Sequence, residues 1–360
     1  MTAGTEGTLR VWPGIDPTWR SGGSEMYNLS TDADGGTWLA GGTLEDGIQL
    51  WRIDGKPRAM AKPNSGLPPG TQSGAVAVAP NGSYLLGATF DGRVLSWPLS
   101  ADGARGTASV VDVGLGYISF VQAAPNSRLV VAMGYTGTEC ALLEADSFGR
   151  LRIVSRMATP NPQMVWFSAD SATLAVALPD RRVVLWDVSE PETPVIKGEV
   201  AGLDSPPISI AFAPRSPLLA IGTESGEVSV WDVTAPTGPV RIRSFGDPHS
   251  APNCVLFSPD EDLLVAASGD ERIWGWDLNR PDETPTFTLS GELDRPWDIR
   301  FLAGDRMAVS GGNGALRVWQ VDPETAEREI CASRGAPLTT EEWSRYLPGI
   351  AVGDPCSPRR

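Results

Sequence analysis

Residues 254–277 read CVLFSPDEDLLVAASGDERIWGWD, and this segment contains one complete copy of the pattern that organises the chain. A short apolar run, Cys254 to Phe257, ends in the turn sequence Ser258-Pro259-Asp260. A second apolar run covers 263–267, a polar turn follows, and a third run closes at Trp276. Proline and aspartate favour turns because they preset backbone dihedrals or accept backbone hydrogen bonds. The segment therefore predicts three short strands joined by tight turns.

The third strand of this pattern recurs along the chain at a nearly constant spacing. Six copies end in tryptophan: IQLW at Trp51, VLSW at Trp97, VVLW at Trp186, VSVW at Trp231, IWGW at Trp276 and LRVW at Trp319. The sequence CALL, ending at Leu142, fills the one gap, and successive repeats are then 46, 45, 44, 45, 45 and 43 residues apart. A period of this length is typical of stacked units that bury their apolar faces against each other. We therefore predict seven such units.

The strand pattern and the period together predict an all-β chain. Turn signals recur every 8 to 12 residues, and no apolar period of 3.6 residues appears before about residue 322. Sheets of four strands arranged around a central channel satisfy both observations. We predict a seven-bladed β-propeller over residues 1–321, in which residues 8–12 form the outer strand of the last blade. An N-terminal strand in that position covers a sheet edge that the ring otherwise leaves exposed.

The sequence changes character after residue 321. Asp322-Pro323-Glu324 has the form of a helix N-terminus, with an N-cap, a proline at the first helical position and an acidic first turn. A second helix start at 339–342 precedes a short amphipathic segment. We predict that residues 322–360 form a short helical tail docked on the propeller.

The composition argues against several classes of partner. The chain of 360 residues carries a net charge of −15, whereas nucleic acids and anionic membranes bind clusters of Lys and Arg. We expect a protein or peptide partner that is neutral or basic. No stretch approaches the ~20 apolar residues of a membrane span, so we expect a soluble, cytoplasmic protein. Cys331 and Cys356 could form a disulfide, and the sequence leaves this open.

The sequence offers little for catalysis. His249 is the only histidine, so every Ser-His-Asp or Cys-His arrangement depends on it. The sequence has no CxxC or HxxxH spacing that would indicate zinc. The acidic turns 32–34 and 260–262 could suggest calcium, but turn chemistry explains their acids. We predict no catalytic residue, metal site or cofactor. The alternative is a small-molecule-binding or hydrolytic site in the central channel.

The chain resembles the WD-repeat family. The signature dipeptide of that family occurs at Trp186-Asp187, Trp231-Asp232 and Trp276-Asp277, and the resemblance covers roughly residues 7–321. It implies a WD40 β-propeller that acts as a noncatalytic scaffold for protein binding. It also implies a structural hydrogen-bond network in the sixth repeat, formed by His249, Ser268, Asp270 and Trp276.

The C-terminal sequence ICASRGAPLTTEEWSRYLPG, residues 330–349, is similar to the ending of a group of WD-repeat proteins from high-GC Gram-positive bacteria. In that group the propeller is often the last module of a larger signalling chain that carries a kinase, a protease-like domain or a signal-transduction ATPase. The resemblance therefore implies a sensor or interaction module of a bacterial signalling protein. This chain itself has no phosphate loop of the form GxxxxGKS or GxxxxGKT.

The family resemblance also predicts which face binds the partner. In such propellers the connections between blades and the turns between second and third strands lie on one face, which is the usual interaction surface. Aromatic residues and arginines dominate interface hot spots. Placed by motif, the predicted partner-binding residues are Trp19, Phe90, Tyr117, Tyr135, Arg181, Arg295 and Trp297. The alternative for Trp19 and Trp297 is that they pack over neighbouring blades.

Overall fold

The computed structural model contains seven antiparallel sheets arranged as the blades of a β-propeller, which confirms the predicted fold. Six sheets have four strands, and the second has an additional strand of two residues. The structure describes residues 2–3, 9–10, 19–20, 25–33, 35–43, 47–53, 58–59, 73–235, 237–245, 250–290, 294–322 and 325. At 2–3, 9–10, 19–20, 58–59 and 73 it describes the backbone alone.

In each blade the first strand lines the channel and the fourth lies at the outer edge. Blade one has Met26–Thr31, Trp38–Thr43, Gly47–Arg52 and Arg58–Ala59. Blade two has Ser73–Val78, Tyr84–Thr89, Arg93–Ser100 and Ser109–Asp112, with Gly103–Ala104 as the additional strand. Blade three has Ile118–Ala123, Leu129–Gly134, Glu139–Ala145 and Leu151–Ala158. Blade four has Met164–Phe167, Thr173–Leu178, Arg182–Asp187 and Val195–Val200.

The remaining blades repeat this arrangement. Blade five has Pro207–Phe212, Leu218–Thr223, Val228–Asp232 and Val240–Phe245. Blade six has Pro252–Phe257, Leu263–Ser268, Arg272–Asp277 and Phe287–Ser290. Blade seven has Pro296–Leu302, Arg306–Gly311 and Ala315–Gln320, and its fourth strand is Trp19–Arg20.

The core consists of apolar layers between neighbouring blades. Seven clusters of buried side chains are present among the described residues, one at each interface of the ring. The closing tryptophan of a blade packs toward the preceding blade: Trp97 contacts blade one, Trp231 contacts blade four and Trp276 contacts blade five. Because side chains alternate along a strand, one position in the repeat always reaches the same interface. This geometry explains why the tryptophans recur with so constant a period.

Blade three requires a correction of one residue. The residue paired like the other closing tryptophans is Leu143, opposite Val130, and it lies in the interface with blade two. Leu142, which the sequence analysis assigned to this role, faces blade four instead. A shift of one position along a strand transfers the side chain to the opposite face of the sheet. Blade three therefore carries leucine where six other blades carry tryptophan.

The N-terminal segment closes the ring, but through different residues from those predicted. Trp19 pairs with Leu316 and Arg20 with Ala315, so Trp19–Arg20 is the outer strand of blade seven. The prediction placed this strand at residues 8–12. Leu9–Arg10 instead pairs with Thr2–Ala3 in a separate two-stranded sheet. The short strand pattern around residue 10 is satisfied by this local hairpin, which leaves the blade edge to the later segment.

The predicted helical tail lies largely outside the described residues. At its start, the Asp322 carboxylate accepts the backbone N–H of Thr325 at 2.7 Å. An N-cap aspartate makes this hydrogen bond to the third helical residue. The rest of the tail, including Cys331 and Cys356, stays a prediction. In the part of the chain that the structure describes, no helix is long and apolar enough to cross a membrane.

Candidate partner-binding face

The propeller has two faces, which we name by their turns. The upper face carries the turns between second and third strands together with the connections from each outer strand to the next inner strand. The lower face carries the other two sets of turns. Tyr135 lies in an upper turn of blade three, and Phe148 lies in a lower turn of the same blade. Both side chains are 64% exposed, so the two faces present equally accessible aromatic rings.

Three predicted residues form one aromatic cluster on the upper face. The Phe90 and Tyr117 ring centroids are 4.3 Å apart in an edge-to-face arrangement, and those of Tyr117 and Tyr135 are 5.3 Å apart. Phe90 belongs to blade two and the tyrosines to blade three, so this cluster crosses a blade interface. Burial, followed by the proximity of Tyr135, raises the pKa of Tyr117. Tyr117 therefore presents a neutral phenol near pH 7.

A second cluster combines Trp297 with Arg295 and Tyr27. The Arg295 guanidinium carbon lies 5.1 Å from the centroid of the Trp297 ring, within the range of a cation–π contact. Tyr27 of blade one packs against Trp297 of blade seven with ring centroids 5.2 Å apart. The Tyr27 hydroxyl donates to Glu25. This cluster crosses the interface where the ring closes, and Tyr27 is a member that sequence reasoning missed.

A cavity of about 640 Å³ at the upper end of the channel lies between the two clusters. Tyr117 and Tyr135 line it on one side, and Tyr27 and Trp297 line it on the other. Its volume falls in the range of about 300–1,000 Å³ that is usual for ligand pockets. The cavity could therefore accept several side chains of a bound peptide.

Trp166 and Arg300 meet across the channel and form the floor of this cavity. The Arg300 guanidinium carbon lies 5.5 Å from the centroid of the Trp166 ring. These residues belong to blades four and seven, on opposite sides of the ring. Both also line a second cavity of about 400 Å³ on the lower side. The pair thus lies where the upper and lower cavities adjoin.

Asp298 holds Arg300 in place from the same strand. Arg300 Nη1 donates to Asp298 Oδ1 at 2.6 Å, and their side chains are only 12% and 9% exposed. Asp298 also accepts the backbone N–H groups of Leu29 and Ile299, both at 2.8 Å. The Cys254 thiol lies 3.3 Å from Asp298 Oδ1, and burial, followed by this nearby charge, raises the pKa of Cys254. Cys254 is therefore a protonated thiol that can donate to the carboxylate.

Two predicted residues lie apart from both clusters. Arg181 Nη1 approaches the carbonyl oxygen of Asp204 at 3.5 Å, in the connection that enters blade five. Trp19 lies on the outer strand of blade seven, whereas Trp297 lies on the inner strand. Three strand spacings separate these positions, or about 14 Å. A role for Trp19 in binding stays a prediction, since the structure describes its backbone alone.

A family model described as "WD domain, G-beta repeat" matches residues 240–277. This match falls in a chain whose seven sheets form a propeller. The match and the seven-bladed fold together support a WD-repeat propeller. No curated protein sequence matches the chain. The matched segment begins on the outer strand of blade five, Val240–Phe245, and ends on the third strand of blade six, Arg272–Asp277. Each sequence repeat therefore spans two blades.

The structure describes part of the hydrogen-bond network predicted for the sixth repeat. Ser268 Oγ donates to the Ser250 carbonyl at 3.0 Å, and Trp274 Nε1 approaches Asp270 Oδ1 at 3.4 Å. Buried Asp270 Oδ2 and Trp276 Nε1 have no hydrogen-bond partner among the described residues. His249 lies outside the described residues, so the complete network stays a prediction.

Three residues of the channel floor were missed from the sequence: Trp166, Asp298 and Arg300. Each lies on an inner strand, and two charged residues within the strand sequence PWDIRFL, 296–302, were the available signal. In the part of the chain that the structure describes, no group of three His, Cys, Asp or Glu residues is placed to hold a metal ion.

Proposed function

We propose that this protein is a noncatalytic platform that binds a protein or peptide on its upper face. The observation that carries this proposal is the placement of the aromatic cluster and the Trp297 cluster on two sides of the upper cavity. Aromatic and arginine anchors beside a concave surface supply most of the binding energy in many interfaces. The rings of each cluster pack against one another across a blade interface, so little conformational entropy is lost on binding.

The chemistry of the cavity favours an apolar anchor on the partner. Asp298 and Arg300 are the charged residues among its described lining, and they pair with each other. The remaining lining is aromatic, aliphatic or neutral polar, as at Met133, Ile208 and Gln163. A charged side chain would lose its hydration there, and the mutually paired Asp298 and Arg300 would compensate that loss only in part. We propose that a neutral or basic partner inserts an aliphatic or aromatic side chain, while the net charge of −15 attracts it at longer range.

The same lining supports a noncatalytic role. Hydrolysis of a glycoside by paired carboxylates requires two of them about 5–10 Å apart. Among the described lining residues of the upper cavity, Asp298 is the one carboxylate. It already accepts hydrogen bonds from Leu29, Asn28, Ile299, Arg300 and Cys254. A carboxylate engaged in this way is a structural group rather than an available base.

We further propose that the platform acts in the cytoplasm as the sensor or interaction module of a larger bacterial signalling protein. This part of the proposal rests on the resemblance of the C-terminal sequence 330–349 to such proteins. The physical argument for the upper face does not depend on it.

The test begins with selection of peptides from a displayed random library on the immobilised full-length chain. Isothermal titration calorimetry then compares the chain with two variants, Tyr135→Ala and Phe148→Ala. The two residues are equally exposed on opposite faces, which makes Phe148 a matched control. We expect Tyr135→Ala to weaken binding at least about 10-fold and Phe148→Ala to leave it unchanged. Failure to select any peptide, or equal affinity of both variants, would overturn the proposal.

A further inference from the structure

The lower cavity has a different chemistry from the upper one. Its mouth is formed where the first strand of each blade turns into the second. At that turn the repeats place small or rigid apolar residues, namely Ala33, Pro80, Pro125, Ala169, Pro214 and Pro259. Leu256 lines the wall below this mouth, and Trp166 covers the inner end. The recurring turn sequence therefore gives the lower cavity an apolar entrance.

Two charged residues are found among its described lining, Asp32 and Arg300. Asp32 accepts the backbone N–H groups of Thr37 and Trp38 at 3.2–3.3 Å, so its carboxylate is engaged in its own turn. Arg300 lies at the inner end beside Trp166. The cavity thus combines an apolar mouth with a cationic inner end.

Arg300 lines this cavity and keeps donor capacity. Its Nη1 donates to Asp298 Oδ1 and to the Ile299 carbonyl, both at 2.6 Å. Among the described residues, Nε and Nη2 make no hydrogen bond. The Asp298 carboxylate also accepts hydrogen bonds from Leu29, Asn28 and Ile299. It therefore only partly neutralises the positive charge of the Arg300 guanidinium. A planar carboxylate is the anion that matches a free guanidinium edge best.

We propose that the lower cavity binds a small amphipathic carboxylate of the medium-chain alkanoate type. The alkyl chain would lie against Leu256 and the ring of alanines and prolines, and the carboxylate would meet Arg300. A volume of about 400 Å³ is within the range of ligand pockets and accommodates a chain of eight to ten carbons. This site is independent of the proposed partner on the upper face, because it opens on the opposite side of the Trp166–Arg300 pair.

Calorimetric titration of the full-length chain with octanoate, octanamide and decanoate tests the proposal without any variant. We expect saturable octanoate binding, at least about 10-fold weaker binding of neutral octanamide, and tighter binding of decanoate. Each buried methylene should raise affinity about four-fold, which gives about 15-fold for two. Absence of saturable octanoate binding, or equal binding of the acid and the amide, would overturn it.

Two matched variants locate the site. Leu256 lines the lower cavity alone and Ile208 the upper cavity alone, and both are half-buried. We expect Leu256→Trp to abolish octanoate binding and Ile208→Trp to preserve it. Arg300→Gln should weaken octanoate at least about 10-fold while leaving octanamide unchanged. Loss of octanoate binding in Ile208→Trp but not in Leu256→Trp would place the ligand elsewhere and contradict the proposal. The peptide-binding test with Tyr135→Ala is a separate experiment, so the proposed function and this proposal can fail independently.

Discussion

Asp298 of blade seven accepts the backbone N–H of Leu29 of blade one at 2.8 Å, and these residues are 269 positions apart. Asn28 then continues the connection, because its side-chain oxygen accepts the backbone N–H of Val76 in blade two at 2.9 Å. Among the strands that the structure describes, the inner strands of neighbouring blades share no backbone ladder. Side-chain hydrogen bonds near the channel therefore join them, and Asp298 supplies this connection at the point where the ring closes.

We predict that Asp298→Asn destabilises the protein by about 3 kcal/mol, because it leaves buried Arg300 without its counter-charge. Urea denaturation followed by tryptophan fluorescence measures the change. Asp146→Asn is the control, since it removes an exposed pair with Arg150 on the surface. The control should be nearly neutral. Equal losses in the two variants would show that Asp298 contributes no more than a surface ion pair.

A second prediction concerns close packing of blades one and two. A Cβ atom on Gly42 would lie 1.8 Å from the carbonyl oxygen of Gly74, a backbone atom that cannot move aside alone. We expect Gly42→Ala to cost about 2–3 kcal/mol. Gly198→Ala is the matched control, because no described atom lies within 4 Å of its added Cβ. Alanine there should be neutral or slightly stabilising. Thermal unfolding of the two variants measures the difference in stability. An unchanged melting temperature for Gly42→Ala would contradict the described packing.

Two N-terminal deletions distinguish the observed closing strand from the predicted one. Removal of residues 2–22 deletes Trp19–Arg20 and exposes the edge of Ala315–Gln320. We expect a lower melting temperature and self-association, since an unpaired strand edge pairs readily with another chain. Removal of residues 2–12 retains the pairing and should have a smaller effect. Light scattering coupled to size-exclusion chromatography measures association, and equal effects of both deletions would favour closure by residues 8–12.

Acid should destabilise the protein through carboxylates in turns and at a strand end. Donation from Arg93 lowers the pKa of Asp91 from 3.8 to about 2, and donation from Ser168 and Ser189 lowers the pKa of Asp170 and Asp187. A lowered folded-state pKa means that the unfolded chain binds more protons in acid. These groups therefore stabilise the fold above about pH 4, and this stability is lost as the pH falls toward 2.

Urea midpoints at pH 7, 4, 3 and 2.5 test this prediction. We expect the midpoint to decline mainly below pH 4, and the triple variant Asp91→Asn, Asp170→Asn, Asp187→Asn to decline less over the same interval. A parallel decline in the variant would assign the acid sensitivity to other groups.

The periodic tryptophans were sufficient to predict seven blades, because the interface between blades imposes one large side chain per repeat. They were not sufficient at Leu142 and Leu143, where two adjacent leucines leave the register ambiguous. The closing strand was misplaced because Trp19–Arg20 is only two residues long and has no alternating pattern of its own.

The upper face was predictable in part. Phe90, Tyr117 and Tyr135 occupy turns whose position follows from the repeat, so their proximity could be inferred from strand order. The contact between Trp166 and Arg300 could not be inferred from strand order, because it spans the ring and depends on the width of the channel. The role of Tyr27 depends equally on closure, since it meets Trp297 only when the first and last blades are neighbours.

The Trp166–Arg300 contact bridges the channel at the level where the upper and lower cavities adjoin. Each cavity opens to its own face, and both are lined by these two side chains. Communication between the cavities would have to pass through the rotamers of these two side chains. The axis of the protein is thus the shortest route by which an event on one face could be sensed on the other.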